Sequence, residues 1–169
     1  DGGTDYRLRT LEQAPLYHSP LGPSAEQAML TMFRQLVPAE GEIREAVRLE
    51  VENRVILCRY KAEDIAWFDF AQLCDGPRSQ NDYIELAREF HAVLVSDVPQ
   101  MGRGNDDAAR GFVNMIDEFY DRQVKVIVSA AVPLLDLYSG GRLEFEFQRT
   151  ASRLLEMQSH EYLARPHRP

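Results

Sequence analysis

The chain has 169 residues, 44% of them hydrophobic, which suits one domain or a module of a larger protein and excludes wholesale disorder. Its formal net charge of −8 argues against nucleic acid as a partner, since the one basic cluster is the short tail Arg165, His167, Arg168. The most apolar run, 126–135, is broken by Ser129 and Pro133 and falls far short of the roughly 20 residues that span a bilayer.

Cys58 and Cys74 form no CxxC pair, so reduced thiols are expected rather than a disulfide framework or a zinc site. The chain opens at Asp1 with no basic-then-apolar leader, which reads as a fragment of a cytoplasmic protein.

Residues 1–22 read as irregular, because Gly2-Gly3, Pro15, Pro20 and Gly22 interrupt any period. Ser24 then opens a predicted helix. S-A-E-Q at 24–27 is a capping box, and Ala28, Met29, Met32, Phe33 and Leu36 share one face before Pro38 and Gly41 end it. From Ile43 the period changes to two, with Val47, Leu49 and Val51 alternating with Arg48 and Glu50. Glu52-Asn53 turns the chain back into Val55–Cys58, and a third short strand at 65–70 carries Trp67, giving an antiparallel meander over 43–70. Trp67, Phe68 and Phe70 are expected in the core rather than on a binding platform.

Helical spacing returns after Gly76-Pro77, where Ser79 caps a helix with Tyr83, Ile84, Ala87 and Phe90 on one side. HAVLVSD (91–97) is a nearly continuous apolar run, as suits a strand covered on both faces. Asn105 is the expected N-cap of the next helix, whose buried stripe is Phe112, Val113, Ile116, Phe119 and Tyr120. VKVIVS (124–129) is a second apolar strand, so 91–129 forms a βαβ unit. A last helix over 147–158 buries Phe147, Ala151, Leu154 and Leu155. The predicted class is α/β: a small antiparallel meander plus a parallel βαβ unit, flanked by helices.

The chain contains no GxxxxGK[ST], GxGxxG, GxSxG or HExxH. A triphosphate needs a glycine cradle and a lysine, so these residues alone are not expected to hydrolyse one. Asp97 ends a strand of the βαβ unit, where a catalytic or magnesium-linked carboxylate of an open α/β sheet would stand. The plainer alternative is a polar residue that opens a loop before Pro99. Ser129, ending the partner strand, poses the same choice with a weaker case. Arg149 and Arg153 lie four apart on the last helix and can reach one phosphate held elsewhere. Glu146 and Glu156 flank them, so a solvated ion-pair face is the alternative. The four histidines are scattered and offer no ligand spacing; His91 suits a packed or capping role.

Five stretches taken together are more specific than any motif: DGGTDYRLR (1–9), LYHSPL (16–21), FAQLCDGPRSQNDYIELAREFHAVLVSDVPQM (70–101), FVNMIDEFYDRQVKVIVSAAVPL (112–134) and FQRTASRLLEMQSHEYL (147–163). In this order they resemble the C-terminal half of the ZapE-type cell-division ATPases, also called AFG-one-like ATPases. The resemblance implies a P-loop ATPase of AAA+ character that binds ATP and Mg2+ mainly through residues absent from this chain. It implies residues 1–41 as a linker and helix after the nucleotide-binding core, and 42–169 as a C-terminal α/β region. Arg149 and Arg153 become candidate sensor or trans-acting arginines, Asp97 a candidate catalytic residue, and Arg7 a candidate nucleotide contact. SDVP and VSAAVP read as a faded echo of an acidic strand end and a polar sensor strand. The implied partner is the tubulin-like protein of the division ring, with mitochondrial relatives tied to protein quality control, and a homo-oligomer is compatible with trans-acting arginines. A non-catalytic module that docks such a partner is the alternative.

Overall fold

The computed structural model describes residues 2–169, and side chains from Tyr6 onward. Its first element is a helix, α1 (Gly2–Glu12), where an irregular lead-in was expected. The helix forms despite Gly2-Gly3 because Leu8 and Leu11 recur at a helical interval and pack against the core. A two-residue strand, β1 (Tyr17–His18), follows.

The next helix, α2 (Pro23–Leu36), begins one residue before the predicted Ser24. Its N-cap is Gly22, and Pro23 takes a first-turn position that requires no N–H. The expected capping box is not made; Gln27 instead donates to Thr31 Oγ1 at 3.2 Å. Strands β2 (Arg44–Val51), β3 (Arg54–Ala62) and β4 (Ile65–Asp69) form the meander. Glu52 and Asn53 both have positive φ, 51° and 63°, the geometry of a tight hairpin turn matched to strand twist.

A short helix, α3 (Phe70–Cys74), absent from the sequence reading, leads to α4 (Gln80–Glu89). Here the Ser79 cap is realised as a full capping box with Asp82. Strand β5 (Ala92–Val98), the two-residue β6 (Met101–Gly102), α5 (Asp106–Asp121) and β7 (Lys125–Ala130) come next. Asn105 sits at the α5 N-cap position but makes no side-chain cap bond, because its Oδ1 accepts from the Gly102 N–H at 2.7 Å. After the short strand β8 (Tyr138–Ser139), α6 runs Glu144–Glu156, earlier than predicted, and α7 (His160–Ala164) is an extra helix. Leu155, expected in the core, is 53% exposed.

The meander and the βαβ unit are not separate. Six of the eight strands among the described residues form one sheet in the order β1-β7-β5-β4-β3-β2, with β4 joined in parallel to β5, while β6 and β8 pair apart. Thus β1, β7, β5 and β4 run parallel, and β3 and β2 continue the sheet antiparallel, a mixed α/β architecture with helices on both faces. Adjacent residues of β4 point to opposite faces. Trp67 packs against Phe33 of α2, while Phe68 packs against Phe90 at the end of α4. Residues from Leu11 to Leu163 share one hydrophobic core, including Trp67, Phe68 and Phe70, and both cysteines are free and buried.

Candidate functional site

Strands β4, β5 and β7 end together, and this carboxyl edge gathers Asp69, Asp97 and Ser129. In open α/β sheets ligands collect at this edge. The pairing of β5 with β7 slips between Val95 and Val98, which lifts Asp97 out of the ladder with φ 64°. Its backbone N–H is then satisfied by Ser129 Oγ at 3.1 Å. The start of α2 closes the edge from above, and Leu21, Gly22, Pro23 and Glu26 line a depression with Arg59, Asp97 and Ser129.

Arg59, on β3, ties the edge together. Its Nε donates to Asp69 Oδ1 at 2.9 Å, Nη1 to Glu26 Oε2 at 2.6 Å, and Nη2 to Asp97 Oδ2 at 3.4 Å. Its guanidinium lies 5.1 Å from the Trp67 ring centroid, within cation–π range. The indole is fixed in turn by donating to buried Ser96 Oγ at 2.8 Å. Burial works against the Arg59 charge, but hydrogen bonds to Asp69 and Glu26 outweigh it and raise its pKa. Burial also raises the Asp97 carboxyl; Arg59 opposes this, while Asp69 and Glu26 add to the rise. Three carboxylates therefore share one cation. Beside them a groove of about 490 Å3, floored by Leu30, Leu57, Tyr60 and Trp67, runs between α2 and the meander. Ala46 lines it with φ 53°, a left-handed conformation that costs a non-glycine residue about 1–2 kcal/mol.

The unit β1–loop–α2 has the strand–loop–helix layout in which a phosphate-binding loop works, yet its chemistry does not fit ATP and magnesium. Pro23 removes an N–H from the first turn, Glu26 puts a carboxylate there, and the loop 19–22 (SPLG) carries no lysine. Arg59 already supplies the counter-charge that a divalent cation would bring. Among the described residues, no group of three or more His, Cys, Asp or Glu is arranged to hold a metal ion.

The other candidates from sequence lie elsewhere. Arg149 and Arg153 project from α6 and converge on one residue, Asp117 of α5: Arg149 Nη2 donates to Oδ2 at 3.2 Å, and Arg153 Nη1 donates to Oδ1. Arg153 also lies 4.8 Å from the Tyr120 ring centroid. The flanking acids face other partners, Glu146 pairing with Arg110 and Glu156 with Arg165 and Tyr120. Arg7 is at the amino end of the parallel strands, in a two-pronged ion pair with Asp64 at 3.0 and 2.6 Å. Burial opposes the Asp64 charge, but the Arg7 bond prevails and lowers its pKa. Of the candidates from sequence, only Asp97 and the weaker candidate Ser129 belong to the carboxyl edge. Glu26, Arg59 and Asp69 were not singled out from sequence; no local pattern marks Glu26 or Arg59, whereas Asp69 ends the apolar strand β4, the kind of position that drew attention to Asp97.

The sequence model of the AFG1-like ATPase family matches residues 1–166. The chain is 47% identical over 167 residues to the protein named Cell division protein ZapE of Escherichia coli (strain K12), covering 99% of this chain and 44% of that protein. It is 31% identical over 195 residues to Lactation elevated protein 1 homolog B of Danio rerio, covering 96% of this chain and 39% of the relative. A Schizosaccharomyces pombe protein of uncharacterized function is 28% identical over 195 residues, covering 98% of this chain and 43% of its own length. The chain thus spans less than half the length of these relatives. No solved structure matches it. No helix among the described residues is long and apolar enough to cross a membrane. With the family model running almost from end to end, the chain belongs to the AFG1-like ATPase family.

Proposed function

We propose that this chain is the C-terminal part of an ATP-hydrolysing, cytoplasmic cell-division protein acting on the division ring, with ATP and Mg2+ held mainly by residues outside these 169. The observation that carries this reading is the carboxyl edge, where Glu26, Asp69 and Asp97 surround one guanidinium in the position a phosphate cradle would take. Like charge there repels a triphosphate. Family membership supports the ATPase character, and the name of the E. coli relative supports the link to division.

In this reading Arg149 and Arg153 are the groups offered to a nucleotide held by the rest of an AAA+-like protein, acting within one subunit or across a homo-oligomer. Arg149, with 53% of its side chain exposed and one ion-pair bond, is the freer; Arg153 braces Asp117 beside it. Asp97 and Arg7 are secondary candidates, the former through the carboxyl edge and the latter through the segment before β1. Turnover by the full-length protein is the test. R149A should lower kcat roughly tenfold or more, and unchanged turnover in both R149A and R153A would remove them from the site. Tight magnesium-dependent ATP binding by the 169-residue chain alone would overturn the assignment of the cradle to other residues.

A second reading, a non-catalytic module docking a division or quality-control partner, is favoured by one surface feature. Leu135 and Leu155, 76% and 53% exposed, line a groove of about 340 Å3 beside α6, and Phe145, 80% exposed, stands on the same helix. Nucleotide-independent capture of the purified tubulin-like division-ring protein by the chain, lost in F145S, would support it.

A further inference from the structure

At the amino end of the parallel strands, opposite the carboxyl edge, lies a cavity of about 600 Å3. This volume is in the range of small-molecule sites. It is built from four segments distant in sequence: α1, the end of α2 with the stretch 38–40, His91 before β5, and the end of α7 with its tail. The tail is fixed in place, because His167 Nε2 lies 2.6 Å from Ala87 O and the Arg168 N–H donates to Arg122 O at 2.8 Å. Leu8, Leu11, Leu36 and Leu163 make one part of the wall apolar.

The polar part holds two arginines and two histidines against one carboxylate. His91, at the foot of β5, lines the cavity, and its Nδ1 is buried without a hydrogen-bond partner. A buried polar atom left unpaired is costly unless something completes it. His91 and His167 stand edge to face with ring centroids 6.1 Å apart. Arg165 lines the same cavity, and its nearest carboxylate, Glu156, is a loose 3.7 Å away. Behind them Lys125 of β7, 1% exposed, donates to the carbonyls of Gln123 and Arg165 and to no carboxylate. On the acidic side, Asp64 is engaged by Arg7, and Glu40 is the one carboxylate among the described lining residues. Lys125, without a carboxylate partner, and the loosely paired Arg165 therefore stand near His91 and beside an apolar wall. Burial first and then Arg7 push the His91 pKa down to about 4; Asp64 opposes the fall, and Lys125 and His167 add to it.

We propose that this cavity binds a small amphipathic anion, its carboxylate or phosphate head against His91, His167 and Arg165 and its apolar body along Leu8, Leu11 and Leu163. A head group there gives Arg165 a closer counter-charge than Glu156 and brings an anion near Lys125, while the body removes leucine surface from water.

The test follows the imidazole resonances of His91 and His167 in the 169-residue chain during titration with sodium octanoate, octyl phosphate, inorganic phosphate and octanol. The expected result is saturable shifts with octanoate or octyl phosphate, at least tenfold tighter than with octanol or inorganic phosphate, and an upward move of the His91 titration. Arg165 is half exposed, so R165Q should leave the fold intact and weaken binding of the better amphipathic anion roughly tenfold, the loss of one charge-assisted contact. Comparable binding of octanol would leave an apolar pocket and no anion site, and would overturn the proposal. So would the absence of saturation with both amphipathic anions, or an unchanged affinity in R165Q.

Discussion

Arg59 carries one positive charge against three negative ones, and that imbalance governs the carboxyl edge. Replacing it by methionine keeps much of the side chain's bulk over Trp67 but removes the cation, so Glu26, Asp69 and Asp97 repel one another without relief. These groups are partly solvent-exposed, and the expected loss is about 1 kcal/mol at pH 7 by chemical denaturation. Burial already raises the Asp97 carboxyl, and R59M removes the cation that opposes this. The deficit is therefore present at neutral pH and shrinks as pH falls through the raised Asp97 value; a deficit that grew on acidification would contradict the account. Little of this cluster was legible in the chain. Residues 26, 59, 69 and 97 come from four elements, and each read alone is an ordinary surface charge. Asp97 was legible because it ends an apolar strand, a position with meaning before any contact is known.

Among the elements, α5 has the tightest fit. A Cβ placed on Gly111 would lie 3.0 Å from the Tyr83 hydroxyl and 3.3 Å from the Cys74 carbonyl oxygen, so α5 approaches α3 and α4 through its missing side chain. Tyr83 cannot swing aside freely, because its hydroxyl donates to Leu73 O at 2.7 Å in a buried setting. G111V should therefore cost about 1–3 kcal/mol from overpacking, read as a lower denaturation midpoint, even though helix propensity alone favours replacing the glycine. The main elements were largely readable, since the hairpin, the Ser79 cap and the apolar strands depend on neighbours a few positions away. The two expected cap contacts that fail do so for a common physical reason. Ser24 and Asn105 are good caps by residue type, but Gly22-Pro23 began one helix earlier, and Gly102 claimed the Asn105 side chain.

Across the whole molecule, the two ends of the chain are brought together when α7 packs near α1. His160 Nδ1 lies 2.6 Å from Glu12 Oε2, and that bond raises the histidine pKa above its ordinary value. A histidine raised by folding stabilises fully below its unfolded pKa and loses that contribution as pH rises through the folded one. Hydrogen exchange of the α1 amides, corrected for intrinsic rates, should be slower at pH 6 than at pH 8, and H160A should erase the difference. The joining of β4 to β5 also belongs to this scale. Strand neighbourhood across a connection is not written in local periodicity, so the sequence reading put the meander and the βαβ unit in one α/β region without joining them, and they form one sheet. The outer border of that sheet is β2, whose unpaired amides and carbonyls could recruit the same strand of another molecule. The left-handed turn of the backbone at Ala46 interrupts this border midway. Valine, which resists that conformation, would straighten it, so A46V should convert a monodisperse protein into one that forms β-rich aggregates on concentration, visible by light scattering.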